Sequence, residues 1–404
     1  MKHVCVLGAT GSIGCSTLDV ISRHPQQYAI HSLAAHTNVD TLFEQCVAFK
    51  PQIAVLVSRQ HALQLSDKLA EADLDIEVRH GEQALIDIAR DQQVDIVMAA
   101  IVGASGLLPT MAAVEAGKKV LLANKESLVT SGQLFIDALA TSEAELIPID
   151  SEHNAIYQCL PHTQQDKTGH CTLKQQGISK LILTGSGGPF RTTDLSTFDD
   201  ITPEQAIAHP NWDMGKKISV DSATMMNKGL EFIEAKWLFN VEPNDIQVLL
   251  HPQSTIHSMV QYADGSVLAQ MGNPDMRTPI AHALAFPERI DAGVEPLDFL
   301  TVKDFTFEAP DFERYPNLKL AIEACGLGQA ACTALNAANE VAVDAFLRHR
   351  IKFTDIAKVN ELTMREFVSY SITQIEDVLS VDKDARQHAT TVVESLTVSL
   401  EQTQ

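Results

Sequence analysis

The glycine-punctuated segment near the N-terminus restricts the fold more than any other part of the sequence. An apolar run at residues 4–8 leads into glycines at positions 8, 11 and 14 and then into a helix-like stretch at 15–23. Glycines three residues apart allow a tight turn, a close approach of the backbone to a pyrophosphate and packing of the helix on the strand. This context favours a dinucleotide-binding unit, and a glycine turn without a ligand is the alternative.

The first 150 residues alternate between patterns typical of buried strands and of helices. The strand-like runs are separated by helical stretches such as 41–49, and they lie at residues 4–8, 28–35, 53–57, 96–100 and 120–123. Runs that are apolar on both sides of a strand indicate a parallel sheet covered by helices on both faces. We therefore expect an α/β fold with a Rossmann-like dinucleotide-binding domain at residues 1–150.

The rest of the chain divides into two parts joined by a linker. Residues 151–287 mix strand patterns with helices and loops rich in Gly, Pro and Asn, which predicts a central α+β catalytic domain. Residues 288–311 contain several Pro and Asp with little periodicity and are interpreted as a linker. From 312 to 404 helical periodicity dominates, so we expect a C-terminal helical domain.

The charge balance and the cysteines narrow the function classes. The sequence has 30 Lys+Arg and 52 Asp+Glu, a formal net charge of −22, which argues against a nucleic-acid binder that acts through bulk electrostatics. No apolar run reaches the ~18 residues that a membrane span needs, and the N-terminal segment lacks the pattern of a secretion signal. Seven scattered cysteines without CxxC pairs argue against a disulfide framework, so we expect a cytoplasmic protein.

The end of the second predicted strand bears on the choice of dinucleotide. Sites that prefer NAD carry an Asp or Glu there, which binds the ribose 2′-hydroxyl. Here the residues are His36, Thr37 and Asn38, and the missing negative charge leaves room for a 2′-phosphate. NADP is therefore favoured, with these three side chains as candidate donors, and an ordinary polar turn is the alternative for His36 and Thr37.

Three carboxylates predict a site for a hard cation. Asp150 and Glu152 follow an apolar run, and in an extended segment residues two apart point to the same side. Glu231 lies in a predicted helix, where Asn227 shares its face. Carboxylates without cysteine or clustered histidine indicate Mg²⁺ or Mn²⁺, although the tripeptide Asp-Ser-Glu alone is more typical of a solvated loop.

A set of groups that can donate hydrogen bonds to an anion follows in the sequence. Residues 181–189 predict a strand that runs into a glycine-rich turn, where backbone N–H groups and the hydroxyl of Ser186 can bind an anion. Ser222, Asn227 and Lys228 add two neutral donors and one cation, which is the inventory of a phosphate pocket. Taken singly, each of these residues is better explained as a turn or cap residue.

A loop-like segment at residues 209–215 combines an aromatic residue with Pro and Gly. Such a composition, with Trp212 between Pro210 and Gly215, suggests a lid that covers a substrate. A Trp212 that anchors the loop to the core is an equally good interpretation.

Taken in order, several blocks of sequence resemble the 1-deoxy-D-xylulose 5-phosphate reductoisomerase family over nearly the whole chain. These blocks are LGATGSIG, LLANKESLV, IPIDSEHNAIYQ, LTGSGGPF, HPNWDMGKKISVDSATMMNKGLE and HPQSTIHSMV. The resemblance implies a V-shaped homodimer that uses NADPH and a divalent cation, Mg²⁺ or Mn²⁺, and acts on a phosphorylated sugar. The implied reaction is the rearrangement and reduction of 1-deoxy-D-xylulose 5-phosphate to 2-C-methyl-D-erythritol 4-phosphate, in the non-mevalonate route to isoprenoids.

The resemblance also implies roles for individual residues. The implied NADPH contacts are Thr10, Gly11, Ser12, Ile13, Asn38, Asn124, Glu126 and Gly215, with His36 as a further candidate where many members carry Gly-Lys-Asn in place of His36-Thr37-Asn38. The implied metal ligands are Asp150, Glu152 and Glu231. The implied substrate contacts are Lys125, Ser151, Glu152, Ser186, His209, Trp212, Ser222, Asn227, Lys228 and Glu231, with Met214 beside Trp212 on the lid. Lys125, Glu152, His209 and Glu231 are the candidate catalytic residues. His153 and His257 are further candidate proton carriers, and a core histidine or one that supports the site from behind is the alternative for each.

Two other function classes compete with this hypothesis. A simple NADP-dependent dehydrogenase of a phosphorylated sugar requires hydride transfer but gives no reason for the three carboxylates. A non-enzymatic nucleotide-sensing module requires the glycine turn but not the carboxylates and the Ser186 turn together. The carbon skeleton of the product separates the first class from a reductoisomerase, and turnover separates the second.

Overall fold

A seven-stranded parallel sheet occupies the N-terminal part of the protein, whose computed structural model describes residues 1–208, 215–302 and 304–401. Its strands are β1 Lys2–Leu7, β2 Tyr28–Ala35, β3 Ile53–Leu56, β4 Glu77–His80, β5 Ile96–Ala99, β6 Lys119–Leu122 and β7 Glu145–Pro148. Their order is β4-β3-β2-β1-β5-β6-β7, and every pair is parallel. The connecting helices are α1 Ser12–Arg23, α2 Val39–Phe49, α3 Arg59–Glu71, α4 Glu82–Ala89, α5 Leu107–Glu115 and α6 Lys125–Ala140.

The predicted Rossmann-like architecture is confirmed. β3 and β5 are buried along their whole length, as their apolar runs require for strands covered on both faces. The sequence analysis does not predict β4, because this edge strand reads Glu-Val-Arg-His and is partly exposed throughout.

A second, four-stranded sheet follows the first. Its elements are α7 Ser151–Cys159, α8 His162–Gln165, β8 Ile178–Gly185, α9 Pro203–Ala206, α10 Lys216–Ala223, α11 Met226–Phe239, β9 Ile246–Leu250, β10 Ile256–Tyr262, β11 Val267–Met271 and α12 Arg277–Ala285. The strand order is β11-β10-β8-β9, with β8 and β9 parallel and the other pairs antiparallel. α7 packs on β10 and β11, and α11 packs on β8 and β9. The sequence analysis does not predict β10, although it is a central strand of this sheet.

The C-terminal part is helical, as predicted. It consists of α13 Pro316–Leu327, α14 Gln329–Leu347, α15 Asp355–Glu366 and α16 Ile375–Glu401. α14 is the central helix, since it packs against α13, α15 and α16 and also against α6 and α10. The described residues between α12 and α13 form no helix or strand beyond a single bridge between Leu250 and Glu308.

The contact between α14 and α6 coincides with a break in α6. Gly132 has φ 40° and ψ −109°, which interrupts the helical hydrogen bonds. Gln329 Nε2 donates to the carbonyl of Val129 at 2.8 Å, and Thr333 Oγ1 donates to the carbonyl of Thr130 at 2.9 Å. The C-terminal helices therefore satisfy the carbonyl groups that the break exposes.

Among the helices described, none is both long and apolar enough to cross a membrane.

Candidate active site

The carboxyl ends of the parallel strands form one wall of a cavity. The strand order reverses between β1 and β5, and doubly wound sheets bind their ligands at this reversal. The cavity has a volume of 370 Å³ and extends from the first turn of α1 to the glycine-rich turn after β8. Its position fits a ligand shared between the two sheets.

The turn after β1 brings the backbone close to this cavity. Gly8 has a φ of 85°, and a Cβ atom there would lie 2.5 Å from the carbonyl oxygen of Ala100, so no side chain fits. Gly11 precedes α1, and no described side chain caps the helix there, so backbone N–H groups of its first turn are available to an anion. Ser12 and Ile13 line the cavity, and Thr10 lies just before them in the same turn. The residues present thus fit a dinucleotide pyrophosphate.

The residues after β2 are exposed. The side-chain oxygen of Asn38 accepts a hydrogen bond from the Thr41 N–H at 3.2 Å and caps α2. The first carboxylate after the strand, Asp40, pairs with Lys68 at 2.8 Å. His36 lies on the surface next to this cap.

Asn124 and Glu126 lie where β6 leads into α6. The Asn124 side chain accepts from the Ser127 N–H at 2.6 Å and donates to the carbonyl of Gly103 at 2.9 Å, so it caps α6 and holds the neighbouring loop. Glu126 is buried and accepts a hydrogen bond from Lys217 Nζ at 3.0 Å. Burial acts to raise the pKa of Glu126, but the charge and hydrogen bond of Lys217, a backbone hydrogen bond and the charge of Lys125 together lower the pKa.

The three predicted metal ligands come together from two helices. Asp150 is the residue before α7, Glu152 lies in its first turn, and Glu231 lies on α11. One carboxylate oxygen of each lies within 4.8 Å of the other two. The predicted extended segment is wrong, because the chain turns into α7 at Ser151 and the carboxylates converge at a helix N-terminus. Oxygen donors in this arrangement fit Mg²⁺ or Mn²⁺.

Two lysine side chains enter this carboxylate cluster, which comprises Asp150, Glu152 and Glu231. Lys125 Nζ lies 2.6 Å from Asp150 Oδ2 and 3.4 Å from Glu231 Oε1. Lys228 Nζ lies 2.6 Å from Glu152 Oε1 and also pairs with Glu231. Burial acts to lower the pKa of both lysines, but the surrounding carboxylates raise the pKa of each, that of Lys125 well above its ordinary value. Both ammonium groups therefore stay charged.

The carboxylates of the cluster differ in proton affinity. Burial, followed by the charge of Glu152, raises the pKa of Glu231 to about 7, against the opposing charge of Lys228. Burial also acts to raise the pKa of Asp150, but the charges of Lys125, His153 and Lys228 and the hydrogen bond from Lys125 together lower the pKa. Unequal proton affinities within one cavity are common at catalytic sites, because charge and burial are combined there.

The predicted hydrogen-bond donors to an anion line the same cavity as the carboxylate cluster. They are Ser186 after β8, Ser222 on α10, and Asn227 and Lys228 at the start of α11, and Ser151 of α7 lies beside them. Ser186 Oγ accepts a hydrogen bond from the Gly188 N–H at 3.1 Å. Asn227 Oδ1 accepts from Lys125 Nζ at 2.8 Å, and its amide group donates to Glu231. One small ligand can thus reach both the carboxylates and the hydrogen-bond donors that can bind an anion.

One part of the predicted site lies outside the described residues. His209, Trp212 and Met214 belong to residues 209–214, so the lid interpretation stays a prediction. Gly215 is described, and it is the exposed residue that precedes α10.

Several residues of the site are missing from the sequence analysis. Glu234 Oε2 forms an ion pair with His153 Nδ1 at 3.1 Å, and the other ring nitrogen of His153 lies 2.9 Å from the carbonyl oxygen of Glu231. Glu234 lies three positions after Glu231 on α11, and this helical spacing was a signal for it. The contact of Lys217 with Glu126 gives no such local signal, because the two residues are 91 positions apart.

Family comparisons cover most of the chain. Residues 4–132 match the model described as 1-deoxy-D-xylulose 5-phosphate reductoisomerase. Residues 146–239 match the model of the 1-deoxy-D-xylulose 5-phosphate reductoisomerase C-terminal domain, and residues 271–388 match the DXP reductoisomerase C-terminal domain.

Individual relatives are similar over almost their full length. The chain is 67% identical to the 1-deoxy-D-xylulose 5-phosphate reductoisomerase of Colwellia psychrerythraea, over 97% of this chain and 96% of that protein. It is 59% identical to that of Haemophilus influenzae strain PittGG, over 97% and 99%. Among solved structures, a DOX-P reductoisomerase in complex with NADPH, fosmidomycin and magnesium has a TM-score of 0.94 at 48% identity, over 98% of both chains. The enzyme of Zymomonas mobilis in complex with NADPH has a TM-score of 0.89 at 46% identity, over 98% and 100%.

Proposed function

The chain belongs to the 1-deoxy-D-xylulose 5-phosphate reductoisomerase family, and we propose that it converts 1-deoxy-D-xylulose 5-phosphate to 2-C-methyl-D-erythritol 4-phosphate with NADPH and a divalent cation. The observation that carries this proposal is the cavity in which three carboxylates, two lysines and a set of anion donors adjoin the glycine turn after β1. A dehydrogenase without rearrangement leaves the carboxylate cluster unexplained. The reaction belongs to the non-mevalonate route to isoprenoids.

Asp150, Glu152 and Glu231 hold the cation in this proposal. A cation bound there supplies Lewis acidity toward the carbonyl and neighbouring hydroxyl oxygens of the substrate, and NADPH supplies the hydride. Lys125 and Lys228 pair with the same carboxylates in the structure, so a bound cation would share these oxygens with the two ammonium groups. Lys125, which lies among these carboxylates, would stabilise the negative charge that develops on the substrate oxygen during the rearrangement.

The other end of the cavity binds the phosphate group. Lys228 supplies a positive charge, and Ser186, Ser222 and Asn227 supply neutral donors, with His209 as a further candidate contact. Ser151 and Glu152 contact the hydroxyl and carbonyl end, where Glu152 and His209 are the candidates for proton transfer. Anchoring the remote phosphate places the reacting carbons beside the carboxylate cluster, and Trp212 is the proposed lid residue.

The NADPH site runs along the carboxyl edge of the parallel sheet. The first turn of α1, with Thr10, Gly11, Ser12 and Ile13, binds the pyrophosphate. The remaining contacts are His36 and Asn38 after β2, Asn124 and Glu126 at the start of α6, and Gly215 before α10. We assign dinucleotide binding to residues 1–150, catalysis to 151–287 and a supporting role to the helices of 312–404, joined by a linker at 288–311.

The proposal predicts a product with a rearranged skeleton. Purified protein, Mn²⁺, NADPH and 1-deoxy-D-xylulose 5-phosphate are mixed, the loss of NADPH absorbance is followed, and the product is identified by NMR. A branched product is expected. An unbranched product points to a simple dehydrogenase, and NADPH binding without turnover points to a nucleotide sensor; either result contradicts the proposal.

A homodimer is part of this proposal. β11 is an edge strand with exposed Val267 and Leu268, and Leu300 in the segment between α12 and α13 is 93% exposed. Exposed apolar groups beside an unpaired strand edge favour pairing with a second copy of the chain. Light scattering is expected to give twice the chain mass of 44.1 kDa, and the variant Leu268→Glu to shift this mass toward the monomer. A wild-type mass of one chain contradicts the homodimer.

A cytoplasmic location completes the proposal. All seven cysteines are unpaired in the structure, and six of them are buried. Unpaired cysteines are typical of a reducing compartment.

A further inference from the structure

A buried chain of polar side chains connects the proposed cofactor site to the C-terminal helices. Lys217 Nζ lies 3.0 Å from Glu126 Oε1 and 2.9 Å from Asp221 Oδ2. The other oxygen of Asp221 accepts a hydrogen bond from Asn339 Nδ2 at 2.7 Å. Asn360 Nδ2 then donates to Asn339 at 3.1 Å, and to Asn317 at 2.8 Å. Lys217 is therefore the link between α6 and four other helices.

The burial of this chain shows that its charges depend on one another. Glu126 and Asp221 are 5% and 1% exposed, and Asn339 and Asn360 have no exposed surface. A buried carboxylate that loses its cation is strongly unfavourable, because neither water nor another charge compensates it. Lys217 is placed between two such carboxylates, and its ammonium group is in contact with both.

The position of Lys217 on α10 relates it to the cavity. Lys217 and Asp221 are one helical turn apart on α10, and the residues that follow each of them, Ile218 and Ser222, line the cavity. On the other side, Glu126 follows Lys125 at the start of α6. The pair of Lys217 and Glu126 thus fixes α10 against the turn that carries Lys125.

We propose that Lys217 is a positioning residue that neutralises and orients Glu126 for NADPH binding. The inference rests on the proposed function, in which Glu126 contacts the cofactor. Without Lys217, an uncompensated buried carboxylate would adjoin a polyanionic dinucleotide and repel it. The role is distinct from packing, because its effect on the cofactor acts through the charge of Glu126.

The test measures the NADPH dissociation constant of the full chain by calorimetry, with the thermal midpoint recorded for each variant. Lys217→Met is expected to weaken NADPH binding about tenfold, the size of a typical coupling between contacting charges. The double variant Lys217→Met with Glu126→Gln removes the unpaired charge and is expected to bind NADPH more tightly than Lys217→Met alone. Lys216→Met is the matched control, since it removes the same charge from an exposed neighbour on α10.

The outcomes separate this inference from the proposed function. A dissociation constant of Lys217→Met within twofold of wild type overturns the inference, and so does a double variant that binds no better than Lys217→Met. Where Lys217→Met does not fold, Lys217→Met with Asp221→Asn keeps a neutral buried pair on α10 and is expected to show the same weakened binding. Failure of the wild-type chain to bind NADPH contradicts the proposed function instead.

Discussion

Glu231 has no exposed side-chain surface and contacts both lysines of the carboxylate cluster. The substitution Glu231→Gln keeps the shape of the side chain but removes one ligand charge. We expect Mn²⁺ affinity and turnover to fall by at least ~10- to 100-fold, the range seen when residues that support a metal are replaced.

The NADPH dissociation constant of Glu231→Gln should remain that of wild type, because this carboxylate lies on α11, away from the turn after β1. Glu71→Gln on the exposed surface of α3 is the control. Near-native turnover of Glu231→Gln at limiting Mn²⁺ contradicts the assignment of Glu231 as a metal ligand.

His282 provides a pH dependence of stability. Burial, together with the charges of Arg289 and Lys119, lowers the pKa of His282 to about 4 from an ordinary 6.5, and its Nδ1 lies 3.2 Å from the amide group of Asn154. Because the unfolded chain binds a proton below pH 6.5 and the folded chain does not, stability falls as the pH drops from 6.5 toward 4. The loss approaches about 1.4 kcal/mol per pH unit.

Urea unfolding at several pH values between 7.5 and 4.5 measures this slope. His282→Gln removes the titration and is expected to flatten the profile, while the exposed His349→Gln is expected to leave it unchanged. Parallel profiles for His282→Gln and wild type contradict the prediction.

At the scale of elements, the broken helix α6 joins the proposed active site to the helical part. Its first residue is Lys125, and its break at Gly132 is held by Gln329 and Thr333 of α14. A Cβ at Gly132 would lie 2.8 Å from the Trp237 ring and would clash with Gln329. Only glycine therefore fits both the backbone conformation and the space.

Gly132→Ala is expected to destabilise the protein by about 2 kcal/mol or more, the sum of backbone strain and overpacking. Gly177→Ala is the matched control, because Gly177 also has a positive φ, 73°, but a Cβ there would meet nothing within 4 Å. The control should cost only about 1–2 kcal/mol. Chemical unfolding compares the two variants, and equal losses would show that crowding at Gly132 is unimportant.

The strands and helices also show which features of the fold can be predicted from sequence patterns. Fully apolar runs such as those of β3 and β5 predict buried parallel strands, because few other structures bury both sides of four or five residues. β4 escapes prediction because a partly exposed edge strand needs no apolar run. The break in α6 escapes it because the partner that stabilises Gly132, Gln329, is distant in sequence and is brought near only by the tertiary fold.

At the scale of the whole molecule, the candidate site combines residues from both sheets and from loops far apart in the sequence. The sequence predicts correctly that Asp150, Glu152 and Glu231 are neighbours. The predicted extended segment at Asp150 and Glu152 is wrong, because a helix begins there. The ion pairs of Lys125 with Glu231 and of Lys228 with Glu152 could not be predicted, since these partners are 106 and 76 positions apart and no local pattern connects them. Residue type thus indicates the chemistry, and the fold decides the pairing.

The charges of the two lysines and of the carboxylate cluster affect the order in which ligands bind. With Glu231 ionised, the three carboxylates and two ammonium groups of the cluster sum to one net negative charge. A divalent cation added to the same groups reverses the sign of this charge, so a cavity that repels an anion becomes one that attracts it. Inorganic phosphate should therefore bind more tightly in calorimetric titrations with Mg²⁺ than without it, and equal affinities would contradict this order. Through its charge, a bound cation would thus allow a strongly acidic protein to bind a phosphorylated sugar.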